Sequence, residues 1–313
     1  MKRIPVLLIA AFASICITGC DFIKVFPVDS TTGDTQTQDN HTTTGGNQTT
    51  DADDGGGTGG TTDDGGGGGG TTIDITGDYG KDFGGYYKTI SDSMTADQLK
   101  TELKEIINKN VSTSYDWSRY EAADEDPNNP NNIVTIYART SLSKKSHVNS
   151  KNVGWNREHT FPQSKITGNA TSDNHIIFAS DAKVNGTRSD KKLAELTGSS
   201  GVKSVEDSYG NPTVCKSSSD YFDPGDTPAR GMVARSTMYA AIMYGLNISD
   251  NFDKIATAVK WHLQYLPNSA DLKRNETVYS KQHNRNPFVD YPKLVCKLWG
   301  NTNSETKSLC EGK

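Results

Sequence analysis

The chain has 313 residues, 33% hydrophobic, 23% charged and 8% aromatic, with a formal net charge of −5. Fourteen of its 30 glycines fall within residues 31–72 without a triplet period, which excludes a collagen-like rod. No run of about 20 apolar residues follows the N-terminus, which excludes a polytopic membrane protein.

Met1-Lys2-Arg3 precedes an apolar run, Ile4 to Ile17, of secretory length and too short to span a bilayer comfortably. The run closes on Ile17-Thr18-Gly19-Cys20, which resembles a bacterial lipobox. Residues 1–19 read as a lipoprotein signal peptide and Cys20 as the lipidation site, which predicts a membrane anchor through the N-terminal lipid. An ordinary signal peptide with a chance cysteine is the plainer alternative. Residues 20–74 read as a tether. Residues 31–72 hold seven acidic residues, no Lys or Arg, and no apolar residue but Ala52, too little to offset the entropy of ordering. Residues 75–313 are then one domain of about 240 residues, enough for a well-buried core, carried outside the cytoplasm at the cell surface or in the periplasm.

Charge is asymmetric along that domain. Residues 73–130 hold 6 basic and 12 acidic residues, and residues 131–313 hold 24 and 17. A mildly basic second half suits an anionic substrate. With Cys20 acylated, an exported protein keeps Cys215, Cys296 and Cys310. Cys296 with Cys310 could close a short loop and leave Cys215 free, but spacing does not fix the pairing.

In chain order, Thr95 is an N-cap and the apolar spacing through Leu99, Ile106 and Ile107 predicts a helix to about Asn110. Residues 126–130 (Asp-Pro-Asn-Asn-Pro) predict a loop, and the β-branched and aromatic residues 133–137 a strand. Residues 153–161 predict a second, weaker strand that Pro162 stops. Residues 173–188 predict a short strand or loop leading into a helix. Residues 231–244, 252–266, 272–282 and 292–299 predict helices. Few strands and many helices predict an α+β fold.

The chemistry concentrates in Trp155-Asn156-Arg157-Glu158-His159-Thr160-Phe161-Pro162. Strand neighbours point to opposite faces, so Glu158 and His159 can serve one site only at a strand end, a bulge or a turn. Such a pair offers a carboxylate for a hard cation and an imidazole as general base. Asp173-Asn174-His175 and Asp181-Ala182-Lys183-Val184-Asn185-Gly186-Thr187-Arg188 follow. An Asn carbonyl is a neutral oxygen ligand suited to Mg²⁺ or Ca²⁺. Arg188 lies three residues past Asn185, on the same helix face.

Four blocks resemble the bacterial endonuclease I family, secreted and periplasmic nucleases with the ββα-metal (His-Me finger) fold. They are Arg157 to Pro162; Asp173-x-His175 with Val184-Asn185-Gly186-x-Arg188-Ser189; Arg230 to Arg235; and Asn284 to Pro292. They occur in the family's order and span about Gly85 to Gly300. The resemblance implies a ββα core in a largely helical single domain. It implies a metal-dependent endonuclease acting on DNA, and possibly on RNA, without sequence specificity. Glu158 and Asn185 match the positions that hold one Mg²⁺, with Mn²⁺ or Ca²⁺ as substitutes, and His159 matches the general base. The products implied are 5′-phosphate and 3′-hydroxyl ends. The pattern departs at two points. Some members carry an arginine between the Glu-His pair and the Asn helix, where this chain has only Lys165 and Lys183. Ala179 stands where relatives often have proline at the helix start.

Arg188 or Lys165 is expected to take the arginine's part, and Arg157 and Arg285 are expected substrate contacts. Asp173 and His175 are expected either to orient a ligand or to be buried structural groups. Arg230 and Arg235 brace their helix on this reading, residues 284–292 form a structural lock, and Trp155 belongs to the core. Two other functions compete. One is a noncatalytic lipoprotein binding nucleic acid or a host molecule. The other is a zinc hydrolase using His159 and His175, disfavoured because catalytic zinc normally takes three protein ligands and no HExxH is present. A monomer without a protein partner is expected.

Overall fold

The computed structural model describes Tyr79 and residues 81–149, 153–198 and 200–313. The expected signal peptide, lipidated Cys20 and tether lie outside these residues. Among the described residues no helix is long and apolar enough to cross a membrane.

Helix α1 (Ala96–Ile107) starts where the sequence places it. Thr95 accepts from Gln98 N and the Gln98 side chain accepts from Thr95 N, a reciprocal cap. Leu99, Leu103 and Ile107, four apart, are fully buried on one face. Helix α2 (Trp117–Ala123) leads into a three-stranded antiparallel sheet of β1 (Glu125–Asp126), β2 (Asn129–Val134) and β3 (Ser141–Ser143). Two expectations change here. Residues 126–130 are not a free loop: Asp126 accepts from Asn128 N and the chain turns straight back. Pro130 lies inside β2, in the stretch where the β1–β2 register shifts and a missing N–H is tolerated. At the other end β2 stops at Val134, so Ile136 and Tyr137 leave the ladder; Ile136 N reaches Ala179 O at 2.8 Å instead.

The centre of the architecture is β4 (Trp155–His159) paired antiparallel with β5 (Ile177–Asp181), followed at once by α3 (Ala182–Arg188). This ββα unit is the core expected from the sequence. Gly154, just before β4, has φ 129°, and a Cβ there would collide with the Ser146 carbonyl, so only glycine fits. A four-stranded sheet follows, ordered β6 (Lys192–Leu193), β9 (Tyr221–Asp223), β8 (Pro212–Ser217), β7 (Lys203–Glu206). It was not predicted, because its strands are short, polar on their open face and separated by Gly and Ser.

The rest is helical: α4 (Ala229–Tyr244), α5 (Ile248–Asn251), α6 (Ile255–Gln264), α7 (Ser269–Gln282), α8 (Pro287–Asp290), α9 (Leu294–Trp299) and α10 (Ser304–Cys310). Helix α4 is buried nearly all round, as a central helix must be, and packs on α6, α1, α8 and α5. Gly245 at φ 69° ends it. Cys296 and Cys310 are disulfide-bonded and Cys215 is a buried free thiol. The mixed architecture is an α+β fold.

Asp173 fixes how β5 enters this core. It is fully buried and accepts from His175 N (2.8 Å), Gln282 Nε2 (2.7 Å), Tyr239 Oη (2.8 Å) and Tyr244 Oη (2.6 Å). One carboxylate thus joins α4 and α7 to the segment ahead of β5. An amide presents an NH₂ to donors and leaves at least one of them unpaired. Asp173→Asn is expected to cost about 1–3 kcal/mol, read as a lower urea midpoint at unchanged slope.

Candidate active site

The β4–β5 register sets Arg157 opposite Ala179, Glu158 opposite Phe178 and His159 opposite Ile177. His159 is the last paired residue of β4, the strand end that the Glu-His pair requires. Trp155, Arg157 and His159 share one face of the ribbon, and Asn156 and Glu158 the other.

The Glu158 side chain is 3% exposed. Its Oε1 accepts from Tyr137 Oη at 2.7 Å and lies 3.5 Å from Arg188 Nη1. Burial dominates and pushes the carboxyl up to about 7, against the Arg188 charge and the Tyr137 hydrogen bond, which favour the ion. The residues that hold it come from distant segments, and Tyr137 carried no local sign of this role.

Asn185 lies in the second turn of α3. Its Nδ2 donates to Asn156 Oδ1 at 2.8 Å and to Arg157 O at 3.3 Å. The amide nitrogen is thereby tied to β4, on the residues that precede Glu158. Helix α3 is itself set by Asp181, whose carboxylate caps Lys183 N and Val184 N and also binds Ser208 N and Oγ on the β7–β8 turn. Asp181 was legible as an N-cap but was not singled out. The expected helix start near Ala179 moves: Ala179 is a strand residue whose N–H donates to Asp124 Oδ2 at 2.6 Å, a bond proline could not make.

The His159 ring is buried, with Nε2 3.1 Å from Thr171 O. A carbonyl only accepts, so Nε2 carries the proton and Nδ1 the lone pair. Burial, more than the nearby Arg157 and Arg188 charges, lowers its pKa below the ordinary value of 6.5. The imidazole is neutral at pH 7 and able to take a proton.

The cations divide sharply. Arg188 is 1% exposed and spends its guanidinium on His159 O (3.2 Å), Thr160 O (2.8 Å), Ser189 O (3.0 Å) and Asn251 Oδ1 (2.7 Å). Through Nη1 and Nη2 it clamps the chain around the Glu-His pair, where the sequence reading expected a phosphate contact. Lys165 Nζ donates to Asp250 O at 2.8 Å. Arg285 is buried, forked onto Asp290 at 2.7 and 2.9 Å and bound to Glu276 at 2.6 Å, so the expected substrate contact is a structural tie. Arg157, two residues before His159 on β4, is half-buried, and Lys165 is exposed. Arg230 is forked onto Asp223 and Arg235 pairs with Asp271 at 3.1 Å. His175 is buried, its Nε2 3.1 Å from Asn284 O, and burial lowers its pKa to about 4. It sits with Asp173 in the core lock.

Among the described residues no three His, Cys, Asp or Glu side chains converge on a metal position. A three-ligand zinc centre has no donor set here. One buried carboxylate without a full complement of donors, beside an anchored amide oxygen, fits a hard cation completed by water and substrate oxygens.

Tyr137→Phe deletes the donor to Glu158 and is expected to raise the Glu158 pKa above 7 in metal-free protein, read from the ¹³C shift of its carboxyl against pH.

Residues 95–293 match the Endonuclease I family model. The chain is 31% identical over 242 residues to an extracellular ribonuclease of Bacillus subtilis (strain 168), covering 68% of this chain and 78% of that protein. It is 31% identical over 237 residues to an extracellular ribonuclease of Bacillus amyloliquefaciens, with the same coverage. An extracellular deoxyribonuclease of Aeromonas hydrophila is 28% identical over 122 residues, 38% of this chain and 48% of that protein. With the ββα unit in place and the match running through all four sequence blocks, the chain belongs to the endonuclease I family.

Proposed function

We propose that this chain is a divalent-cation-dependent endonuclease that hydrolyses DNA and RNA outside the cytoplasm, with His159 as general base and Glu158 and Asn185 as the protein ligands of one Mg²⁺. The observation that carries the reading is the pinned tautomer of His159 on the same ββα unit as the Glu158–Asn185 oxygen pair. His159 Nδ1 takes the proton from a water whose oxygen attacks phosphorus. The P–O3′ bond then breaks with its electron pair going to O3′, which takes a proton from solvent water, leaving 5′-phosphate and 3′-hydroxyl ends. Tyr137 and Arg188 hold the Glu158 carboxylate, and Asn156 and the Arg157 carbonyl hold the Asn185 amide. The cation, when bound, supplies charge stabilisation for the crowded anionic phosphorus centre. Arg157 meets the phosphate from the His159 face. Contacts of this kind touch only the backbone, so cutting without sequence preference follows.

Relatives named for ribonuclease and for deoxyribonuclease activity support testing both polymers. Relatives named extracellular and the N-terminal apolar run support export, and Ile17-Thr18-Gly19-Cys20 alone supports a lipid anchor on Cys20. The same reading keeps residues 1–19 as signal, 20–74 as tether and 75–313 as a monomeric catalytic domain.

The test is digestion of supercoiled plasmid and of RNA in Mg²⁺. EDTA is expected to abolish cutting, and His159→Ala to lower kcat by about 10²–10⁴-fold. Cutting that resists EDTA would contradict the metal assignment, and an unimpaired His159→Ala would contradict the base.

A further inference from the structure

Arg157 and His159 are two residues apart on β4 and leave the same face of the ribbon. Tyr115, from the segment ahead of α2, touches both. Its ring stacks on the His159 imidazole, with centroids 5.7 Å apart and planes at 26°. The same ring lies 3.6 Å from Arg157 Cζ, and the Tyr115 carbonyl accepts from Arg157 Nη1 at 2.7 Å. Trp117 lies 3.8 Å from the same Cζ. Two rings that close to one planar group must take its opposite faces. Beyond Trp117, His147 stacks at 4.4 Å, 9° from parallel. The contacts link His147, Trp117, Arg157, Tyr115 and His159 in one column-like series.

Such a column has a definite mechanical effect. A free arginine samples many rotamers, and a guanidinium held between two aromatic faces keeps one. Of the Arg157 donors only Nη1 is engaged among the described residues, which leaves Nε and Nη2 for an acceptor outside the chain.

We infer that Tyr115 and Trp117 are positioning residues of the nuclease site, holding the Arg157 guanidinium at the phosphate and fixing the His159 ring beside it. This rests on the nuclease reading above. Tyr115 is 41% exposed and also packs edge-on against the buried Tyr120 ring, so melting temperatures separate a loss of stability from a loss of positioning.

The experiment measures kcat and KM of the full chain on a DNA oligonucleotide in saturating Mg²⁺, for Tyr115→Leu, Tyr115→Phe, Trp117→Leu, Arg157→Ala, the double variant Tyr115→Leu/Arg157→Ala and His159→Ala. Melting temperatures are recorded alongside. Tyr115→Leu is expected to raise KM at least tenfold and lower kcat at least tenfold, and Tyr115→Phe, which keeps the ring, to recover most of both. Trp117→Leu is expected to raise KM in the same direction. In the Arg157→Ala background Tyr115→Leu should raise KM no further, since the group it positions is gone. Equal kinetics for Tyr115→Leu and Tyr115→Phe, or a double variant whose KM rise is the product of the single rises, would overturn the proposal while His159→Ala stays inactive. Full activity in His159→Ala would instead overturn the nuclease reading and this proposal with it.

Discussion

The burial of the Glu158 carboxylate is the constraint on which the site depends. A carboxylate withdrawn from water is costly unless it is fully hydrogen-bonded or paired. Here it has one short bond from Tyr137 and one guanidinium at 3.5 Å, and it remains poorly enough satisfied that its pKa rises to about 7. On the reading proposed above, a bound cation would offset that cost. A fully compensated carboxylate would gain little from a cation, and an exposed one would hold it loosely.

The same economy explains the arginines. Arg188, Arg285, Arg230 and Arg235 are all buried and all bound to carboxylates or carbonyls. A buried guanidinium needs acceptors, and the fold supplies them to most of these donors from its own chain, leaving Nε of Arg188 and Nε and Nη2 of Arg235 without a hydrogen bond. Arg188 is the most consequential of these. By binding the carbonyls of His159 and Thr160 it holds the end of β4, and so fixes where the Glu-His pair leaves the strand. Arg157 differs because aromatic faces replace carboxylates around it, which hold the side chain without neutralising it.

Much of this was legible in the sequence for physical reasons. The capped start and apolar face of α1 and the apolar run of α4 are local patterns, and the pairing of a strand end with Glu158-His159 follows from alternation. The ββα core came with the family resemblance. What was not legible is set by distance along the chain. Tyr137 is 21 residues from Glu158 and Tyr115 is 42 from Arg157, and no local rule links them. Arg188 and Arg285 were read as phosphate contacts, and the acceptors that the fold gives them were not visible in the local sequence. The four-stranded sheet escaped because two- to six-residue strands carry too little periodicity.

The most direct test of the account is the melting temperature of the protein with and without Mg²⁺, at pH 5 and pH 8, for the native chain and Glu158→Gln. The folded protein holds the Glu158 proton up to about pH 7, whereas an unfolded chain releases it near its ordinary value of 4.5. The stability tied to that proton is fully present below 4.5 and is lost as pH rises through about 7, on the order of 3 kcal/mol in metal-free protein. Mg²⁺ is expected to raise the melting temperature of the native chain at pH 8 and to have no effect at pH 5, and Glu158→Gln should show no Mg²⁺ increment at either pH. An equal increment in Glu158→Gln would contradict the assignment of the buried carboxylate as the cation's ligand.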